Sequence, residues 1–254
     1  MIWQDYRPIL PNERCVILVI GCGHVGSTIA DVLEDVGQEI IRIDPKLNDN
    51  KISDFKDRAD GAIIAVTTPT INGECDVSIV DKVVSELGDM RILIKSTVLP
   101  NLLEKYHDKV IYSPEFLREK HAVEDYKKQK CVVWGGEKLQ IVWWMNRFQD
   151  VSKQNAITDR ATASVIKYVY NCWLATKVAF FHELHEKLDK SYNYNQVTSM
   201  LSHFENIGPS HMKVTNLGYD GNCFPKDMEA FANFTDSEIL KKVIEVNNNL
   251  IGAR

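Results

Sequence analysis

The sequence lacks several features that mark particular classes of protein. Its six cysteines form no CxxC pair and have no spacing typical of a disulfide framework, which favours a reducing compartment. No stretch approaches the ~20 consecutive apolar residues that span a bilayer, and the N-terminus has no apolar run of a signal peptide. We therefore predict a cytoplasmic protein without a membrane partner.

A cluster of basic residues is also missing. The formal net charge is -5 and Lys and Arg are nowhere concentrated, so we predict no nucleic-acid partner. No metal site is predicted either. The composition is otherwise ordinary for a globular protein, since 44% of the residues are hydrophobic and 26% are charged. A chain of 254 residues is long enough for one large domain or two modest ones.

A strand, a glycine-rich turn, a helix and a second strand ending on an acid follow one another near the start of the chain. The members of this pattern are Cys15–Ile20, the turn Gly21-Cys22-Gly23-His24-Val25-Gly26, a helix over residues 27–36, a strand over 38–43, and Asp44. This is the order of elements in a dinucleotide-binding βαβ unit. We therefore predict that the six turn residues and Asp44 bind a dinucleotide.

Each glycine of the turn meets a different structural requirement of dinucleotide binding. Gly21 permits the tight turn, Gly23 lets the backbone approach a pyrophosphate, and Gly26 lets helix and strand pack closely. The phosphates would then lie on the N-terminus of the helix, where unpaired N–H groups and the helix dipole favour negative charge.

The acid at the end of the second strand bears on the choice of cofactor. Asp44 would accept hydrogen bonds from the ribose hydroxyls and would repel a 2′-phosphate, which favours NAD over NADP. Arg42 and Lys46 lie nearby in the sequence and leave NADP as an alternative. NAD is the predicted cofactor.

Strands and helices continue to alternate up to about residue 155. Further strands are predicted over residues 61–66, 91–95, 109–112 and 131–134, with a helix over 77–87. Polar residues such as Thr68, Ser96 and Thr97 follow strand ends, where open parallel sheets bind ligands, although each could instead cap a helix or form a turn. We predict a Rossmann-type, doubly wound, mainly parallel sheet over residues 1–155, with residues 1–14 lying across its surface.

The rest of the chain, residues 156–254, is predicted to be a smaller all-α domain with a long connecting helix. Residues 159–190 contain no Gly or Pro and have apolar residues at helical spacing. Lys167 and Asn171 are four residues apart and so share one helix face, although such a pair could simply be solvated. Shorter helices are predicted over residues 196–204, up to Ala230, and over 237–250.

A single cysteine lies in an unusual context near the end of the chain. Cys223 stands between a glycine-bearing turn and Pro225, followed by Lys226 and Asp227. A helix beginning near Pro225 would put the thiol at its N-terminus, where the dipole and Lys226 both favour the thiolate. Asp227 could hold a water or take a proton. The alternative is a cysteine buried in a turn.

Seven motifs in order resemble one known family, the UDP-glucose/GDP-mannose dehydrogenases. They are GCGHVG (21–26), VTTPT (66–70), STV (96–98), SPEFLRE (113–119), KYVYN (167–171), IGP (207–209) and CFPKD (223–227). These proteins are NAD-dependent four-electron oxidisers of nucleotide sugars, and the resemblance covers nearly all of residues 15–254.

The resemblance implies a role for each matched residue. It implies that Cys223 is the nucleophile, that Lys167 steadies the oxyanion, and that a water is positioned by Asn171 and Asp227. The hydrolytic step would be served by Glu115 and Thr97. The NAD site would include Gly21, Gly23, Gly26, Asp44, Thr68, Ser96 and Glu119. The substrate site would include Phe116, Leu117, Lys167, Asn171 and Gly218.

The sequence departs from the family pattern at three points. The chain ends at Arg254, where a second nucleotide-binding α/β domain that grips UDP is expected to begin. Asp220 stands where a glycine is usual, and its charge disfavours a nearby thiolate. Asn206 stands where an arginine is common.

Three hypotheses follow. The first is a nucleotide-sugar dehydrogenase that oxidises the 6-hydroxyl of a UDP-glucose-like substrate to the uronic acid. The reaction would pass through a thiohemiacetal and a thioester of Cys223. The protein would be a homodimer that associates through the long helix. The second is a two-electron dehydrogenase of the β-hydroxyacid type, which has a similar layout. The third is a truncated homologue that binds NAD without turnover and needs a partner chain.

Overall fold

The computed structural model describes residues 2–4, 14–118, 121–148 and 154–253. Its strands are β1 (Ile2–Gln4), β2 (Val16–Ile20), β3 (Glu39–Ile43), β4 (Gly61–Ile64), β5 (Thr70–Ile71), β6 (Glu74–Cys75), β7 (Arg91–Ile94), β8 (Val110–Tyr112), β9 (Cys131–Gly135) and β10 (Gln154–Thr158). Its α-helices are α1 (His24–Asp35), α2 (Ile52–Phe55), α3 (Ser78–Leu87), α4 (Pro100–Leu103), α5 (Ala122–Lys128), α6 (Lys138–Phe148), α7 (Arg160–Lys187), α8 (Tyr194–Leu201), α9 (Phe224–Thr235) and α10 (Glu238–Gly252).

Eight strands form one sheet in the order β1-β10-β9-β8-β7-β4-β2-β3. The five strands from β8 to β3 are parallel to one another, β9 is antiparallel to β8, and β10 is parallel to β9. The chain leaves β2 toward β3 on one side and returns to β4 on the other. The prediction of a doubly wound, mainly parallel sheet is confirmed, and the reversal of strand order lies between β2 and β4.

The central strands are apolar because both of their faces are covered. Every residue of β4 and β8 is buried, and so are the last three residues of β7. The core on one side of the sheet is formed by residues of β2, β4, β7, β8 and β9 together with helices α1, α5 and α6. This packing holds the carboxyl ends of the parallel strands in fixed positions.

One prediction about the N-terminal segment is wrong. Ile2–Gln4 do not simply lie on the surface but form β1, which pairs antiparallel with residues 155–157 of β10. The outer edge of β10 offers unpaired backbone groups, and β1 satisfies them. Residues 5–13 of the predicted surface segment lie outside the described residues.

The chain divides into two compact units. The first contains Met1–Pro69 and Cys75–Lys167, and the second contains Thr70–Glu74 and Tyr168–Arg254. The domain boundary predicted at residue 155 stays a prediction. In the first unit the described residues carry the large sheet and its helices.

The second unit is built on helices, as the sequence predicted. The Tyr168 ring of α7 stacks on Phe231 of α9, with ring centroids 5.2 Å apart. Residues 70–74 pack on the same helix, because Thr70 Oγ1 donates to the carbonyl of Lys226 at 2.8 Å and Asn233 Nδ2 donates to the carbonyl of Gly73 at 3.0 Å. Within the part of the chain that is described, no helix combines the length and apolar character needed to cross a membrane.

Candidate active site

The glycine-rich turn joins β2 to α1 in the first unit. Gly21 has φ +86°, and a Cβ there would meet the carbonyl of Ala65 at 2.7 Å. A Cβ on Gly26 would overlap the carbonyl oxygen of Gly21, so the helix can follow the turn this closely only with glycine. Gly23 is the N-cap of α1, and nothing lies within 4 Å of where its Cβ would be. Gly23 thus leaves open space, and the predicted approach of a pyrophosphate there stays a prediction.

Asp44 fastens the end of β3 to this turn. Its Oδ2 accepts a hydrogen bond from the backbone N–H of Cys22 at 2.7 Å, and its Oδ1 accepts one from that of Lys46 at 2.9 Å. These two bonds hold the pKa of the Asp44 carboxyl below its usual range. Burial and the charge of Asp44 raise the pKa of the Cys22 thiol. Asp44 therefore stays ionised and shapes the turn, in addition to its predicted contact with ribose.

A cleft of about 1240 Å³ opens at the carboxyl ends of β2, β3 and β4. It is lined by the turn, by residues 43–47 after β3, by residues 65–67 after β4 and by the outer face of α3. A second cleft of about 600 Å³ lies beside it, between the start of α1, including His24, and residues 121–124. Val25 instead packs against the apolar core. A cleft at the reversal of strand order, with a helix N-terminus and an ionised acid, fits a dinucleotide such as NAD.

The loops that follow β4 and β7 are joined by hydrogen bonds from their polar side chains. Thr68 Oγ1 donates to the carbonyl of Thr97 at 2.6 Å, and Ser96 Oγ donates to the carbonyl of Val66 at 2.7 Å. Thr68 and Ser96 are both buried, whereas Thr97 is half-buried. Thr68 and Ser96 thus fix the backbone beside the cleft. Their predicted contact with NAD stays a prediction.

Glu115 is held from two sides within the first unit. Its carboxylate forms a buried ion pair with Lys95, and its carbonyl accepts a hydrogen bond from Lys167 Nζ at 2.6 Å. Lys167 also lies over the ring of Phe116, 5.3 Å from its centroid. Lys167 is buried, so the alternative of a solvated surface lysine does not hold. The structure brings these three predicted residues together and adds Lys95, which the sequence did not single out.

Two other predicted residues of the SPEFLRE segment have different surroundings. Leu117 packs against the apolar core beneath the sheet. Glu119 lies outside the described residues, so its predicted contact with NAD stays a prediction. Between them, Arg118 forms an ion pair with Asp125 of α5 at 2.6 Å.

Within the second unit, α7 and α9 bring Asn171 and Asp227 together. Asn171 Nδ2 donates to Asp227 Oδ2 at 2.6 Å, and both residues are buried. Asp227 Oδ1 pairs with the ammonium of Lys226 at 2.5 Å, so the lysine charge predicted to favour the thiolate is paired with a carboxylate. Asp227 is therefore oriented on both of its oxygens.

Cys223 is the N-cap of α9, so the predicted helix start at the thiol is found. All six cysteines lie within the described residues, and Cys223 is the exposed one among them. Cys172 on α7 shows the contrast, because burial and the charge of Asp227 raise the pKa of its thiol to about 12. An accessible thiol at a helix N-terminus is suited to nucleophilic attack, whereas a buried neutral thiol is not.

Comparisons with known proteins agree on one family. A family model described as the UDP-glucose/GDP-mannose dehydrogenase family, NAD binding domain, matches residues 49–152, and its central-domain counterpart matches residues 161–249. The UDP-glucose 6-dehydrogenase of Rickettsia bellii is 33% identical over 213 residues, which are 74% of this chain and 49% of that protein. This chain thus spans about half the length of the curated relatives it matches first.

Solved structures show the same fold. A UDP-glucose dehydrogenase from Pyrobaculum islandicum superposes with a TM-score of 0.84 at 22% identity, covering 95% of this chain and 70% of that one. The 3-hydroxyisobutyrate dehydrogenase of Mycobacterium tuberculosis superposes with a TM-score of 0.72 at 13% identity, covering 94% of each chain. At these identities the likeness concerns the fold alone.

Proposed function

Because this chain belongs to the UDP-glucose/GDP-mannose dehydrogenase family and its cofactor is NAD, we propose that it oxidises the 6-hydroxyl of a nucleotide sugar to a carboxylic acid. A UDP-hexose such as UDP-glucose is the proposed substrate. The observation that carries the proposal is the accessible thiol of Cys223 at the start of α9, with Asp227 in the first turn of the same helix held by Asn171 of α7. A two-electron dehydrogenase has no need of such a thiol.

The first oxidation needs a group that takes a proton and a group that stabilises negative charge. A water held by Asn171 and Asp227 receives the proton of the 6-hydroxyl. The ammonium of Lys167 stabilises the developing alkoxide, and its bond to the Glu115 carbonyl orients it. The chemistry that NAD would supply when bound is hydride acceptance, with one NAD molecule needed for each of the two oxidations.

The second oxidation needs the aldehyde to be captured. The sulfur of Cys223 adds to the aldehyde carbon, and the carbonyl oxygen takes up a proton, which gives a thiohemiacetal. Loss of the hydroxyl proton and of a hydride from that carbon gives a thioester. The aldehyde is covalently bound between the two oxidations, so it does not escape.

Hydrolysis then releases the acid. Glu115, assisted by Thr97, takes a proton from a water whose oxygen attacks the thioester carbon. The carbon–sulfur bond breaks, and Cys223 regains its thiol as the carboxylic acid leaves. The ion pair with Lys95 supports this role, since it keeps the Glu115 side chain in one position.

The test is the number of NADH molecules formed per sugar consumed. With UDP-glucose and NAD we expect two NADH per sugar and a uronic acid product. Cys223→Ala should abolish acid formation while leaving NAD affinity unchanged. Cys131→Ala, which removes a half-buried thiol from β9, is the matched control and should behave like the wild type.

Other outcomes would favour the competing hypotheses. One NADH per substrate, turnover of small hydroxyacids and indifference to Cys223→Ala would point to the β-hydroxyacid type. The fold likeness to 3-hydroxyisobutyrate dehydrogenase, over 94% of both chains, makes that the second candidate. NAD binding without NADH from any nucleotide sugar would point to a homologue that depends on a partner chain.

We further propose that two copies associate through α7 and that the protein acts in the cytoplasm. Val169, Trp173 and Phe180 are 51%, 61% and 58% exposed, and their spacing of four and seven residues puts them along one face of the helix. A row of exposed apolar side chains is a common feature of subunit interfaces.

A further inference from the structure

The loop that leads to Cys223 is held by a side chain of α10. Asn247 Oδ1 accepts a hydrogen bond from the backbone N–H of Tyr219 at 2.6 Å, and Asn247 Nδ2 donates to the carbonyl of Tyr219 at 3.1 Å. Asn247 is 3% exposed and Tyr219 is 4% exposed. One side-chain amide therefore satisfies both backbone groups of a buried loop residue, as a neighbouring strand would do in a sheet.

The preceding residue is shaped around the same amide. Gly218 has φ +73°, a conformation that side chains with a Cβ rarely adopt. A Cβ on Gly218 would lie 2.8 Å from Asn247 Oδ1. The loop and Asn247 thus fit each other at two successive residues, and substitution at either one disturbs the other.

The constraint extends from Tyr219 toward the thiol. The Tyr219 ring meets Phe224 edge to face, with centroids 6.1 Å apart at 89°. Phe224 is the first residue of α9 and directly follows Cys223. Residues 220–223 between these two aromatic anchors are exposed. One end of this short exposed segment is therefore the Tyr219 backbone held by Asn247, and the other is Phe224 at the start of α9.

We infer that Asn247 is a positioning residue for Cys223. The inference rests on the proposed function, because it assumes that Cys223 attacks the aldehyde. Asn247 acts through the loop: it fixes Tyr219, and Tyr219 fixes where the segment carrying the thiol begins. A nucleophile displaced by about 1 Å from its attacking position can lose roughly 100-fold in rate. The role predicted for Gly218 as a substrate contact is separate and stays a prediction.

The test compares Asn247→Leu with Asn248→Leu. Asn248 is the same residue type on the same helix and is exposed, so its substitution controls for adding a leucine to α10. In Asn247→Leu we expect the amide of Tyr219 to exchange hydrogen at least ~10-fold faster, because it loses its buried acceptor. We expect kcat for acid formation to fall by roughly 10- to 100-fold. KM for NAD should stay within about twofold of the control, because a displaced thiol slows the capture of the aldehyde and the steps that follow it without altering cofactor binding.

Gly218→Ala provides a second route to the same result if Asn247→Leu does not fold. Its added methyl group would push against Asn247 Oδ1 and should give the same faster exchange at Tyr219 and the same fall in kcat. The inference is overturned if Tyr219 stays protected in the folded variants, or if exchange rises while kcat equals that of Asn248→Leu. Absence of NADH from the wild-type protein would refute the proposed function instead, and the exchange measurement would still report whether Asn247 holds the loop.

Discussion

Lys95 and Glu115 form an ion pair whose side chains are only 2% and 6% exposed. Lys95 Nζ also donates to Ser113 Oγ at 3.1 Å and lies over the rings of Trp134 and Phe148. Glu115 Oε2 has no hydrogen-bond partner among the described residues. An ionised carboxylate in this position depends on the cation of Lys95, since burial of an unpaired charge is costly.

Lys95→Met should therefore destabilise the protein strongly. Removing one partner of a buried pair leaves the other charge unpaired, at a cost of about 3–5 kcal/mol in the free energy of unfolding. Urea denaturation followed by circular dichroism would measure it. The control is Lys105→Met, which breaks a surface pair with Asp81 and should cost about 0–1 kcal/mol. Equal effects of the two substitutions would contradict the importance of the buried pair.

The sequence indicated some of these residues and not others, for a physical reason. Lys167 and Asn171 stand four apart on a predicted helix, a spacing that puts them on one face but also fits a solvated pair, and their roles were predicted from the resemblance of the KYVYN motif. Lys95 was predicted only as the last residue of a strand. Its partner is twenty residues away, and their contact depends on the pairing of β7 with β8, which apolar periodicity does not specify.

Two glycines in the turn between β2 and α1, Gly23 and Gly26, should respond differently to substitution by alanine. Gly23→Ala adds a methyl group to open space, so the free energy of unfolding should be nearly unchanged. The methyl group would nevertheless occupy the place proposed for the pyrophosphate, and NAD affinity should fall at least ~10-fold, or about 1.4 kcal/mol. Calorimetric titration with NAD and urea denaturation would separate the two effects.

Substitution of Gly26, the third glycine of the same turn, should have a different effect. Gly26→Ala would force its methyl group onto the Gly21 carbonyl and should lower both NAD affinity and stability, the latter by about 1–3 kcal/mol. Gly252→Ala at the end of α10 meets nothing within 4 Å and should change neither. A loss of stability in Gly23→Ala, or unchanged NAD affinity there, would argue against the proposed phosphate position.

At the level of elements, the long and strongly patterned segments were predictable. The strand before the glycine turn, the helix after it and the long α7 follow from continuous apolar runs and helical spacing. The short elements β1, β5 and β6 were missed because two or three residues carry no measurable period. They exist because neighbouring backbone or side-chain groups pair with them, which is a tertiary effect.

The assembly of the whole molecule is open to a direct test at α7. Trp173→Glu would put a charge in the middle of the exposed apolar row, and we expect it to convert a dimer to monomers, since an unpaired charge disfavours an apolar interface. Sedimentation velocity would measure the change. Leu139→Glu, at an exposed apolar residue of α6, is the control and should leave the dimer intact. A monomeric wild-type protein would rule the interface out.

The uneven exposure of the six cysteines has a consequence for how the protein responds to oxidation. Peroxide attacks accessible thiols first, and oxidation proceeds from reversible sulfenic acid to irreversible sulfinic and sulfonic acids. Cys223 is the exposed thiol among the six, while Cys15, Cys75 and Cys172 are buried. Oxidation of Cys223 would thus abolish the proposed turnover before it unfolds the chain. The result would be a folded but inactive protein that reductant restores only while the cysteine is a sulfenic acid.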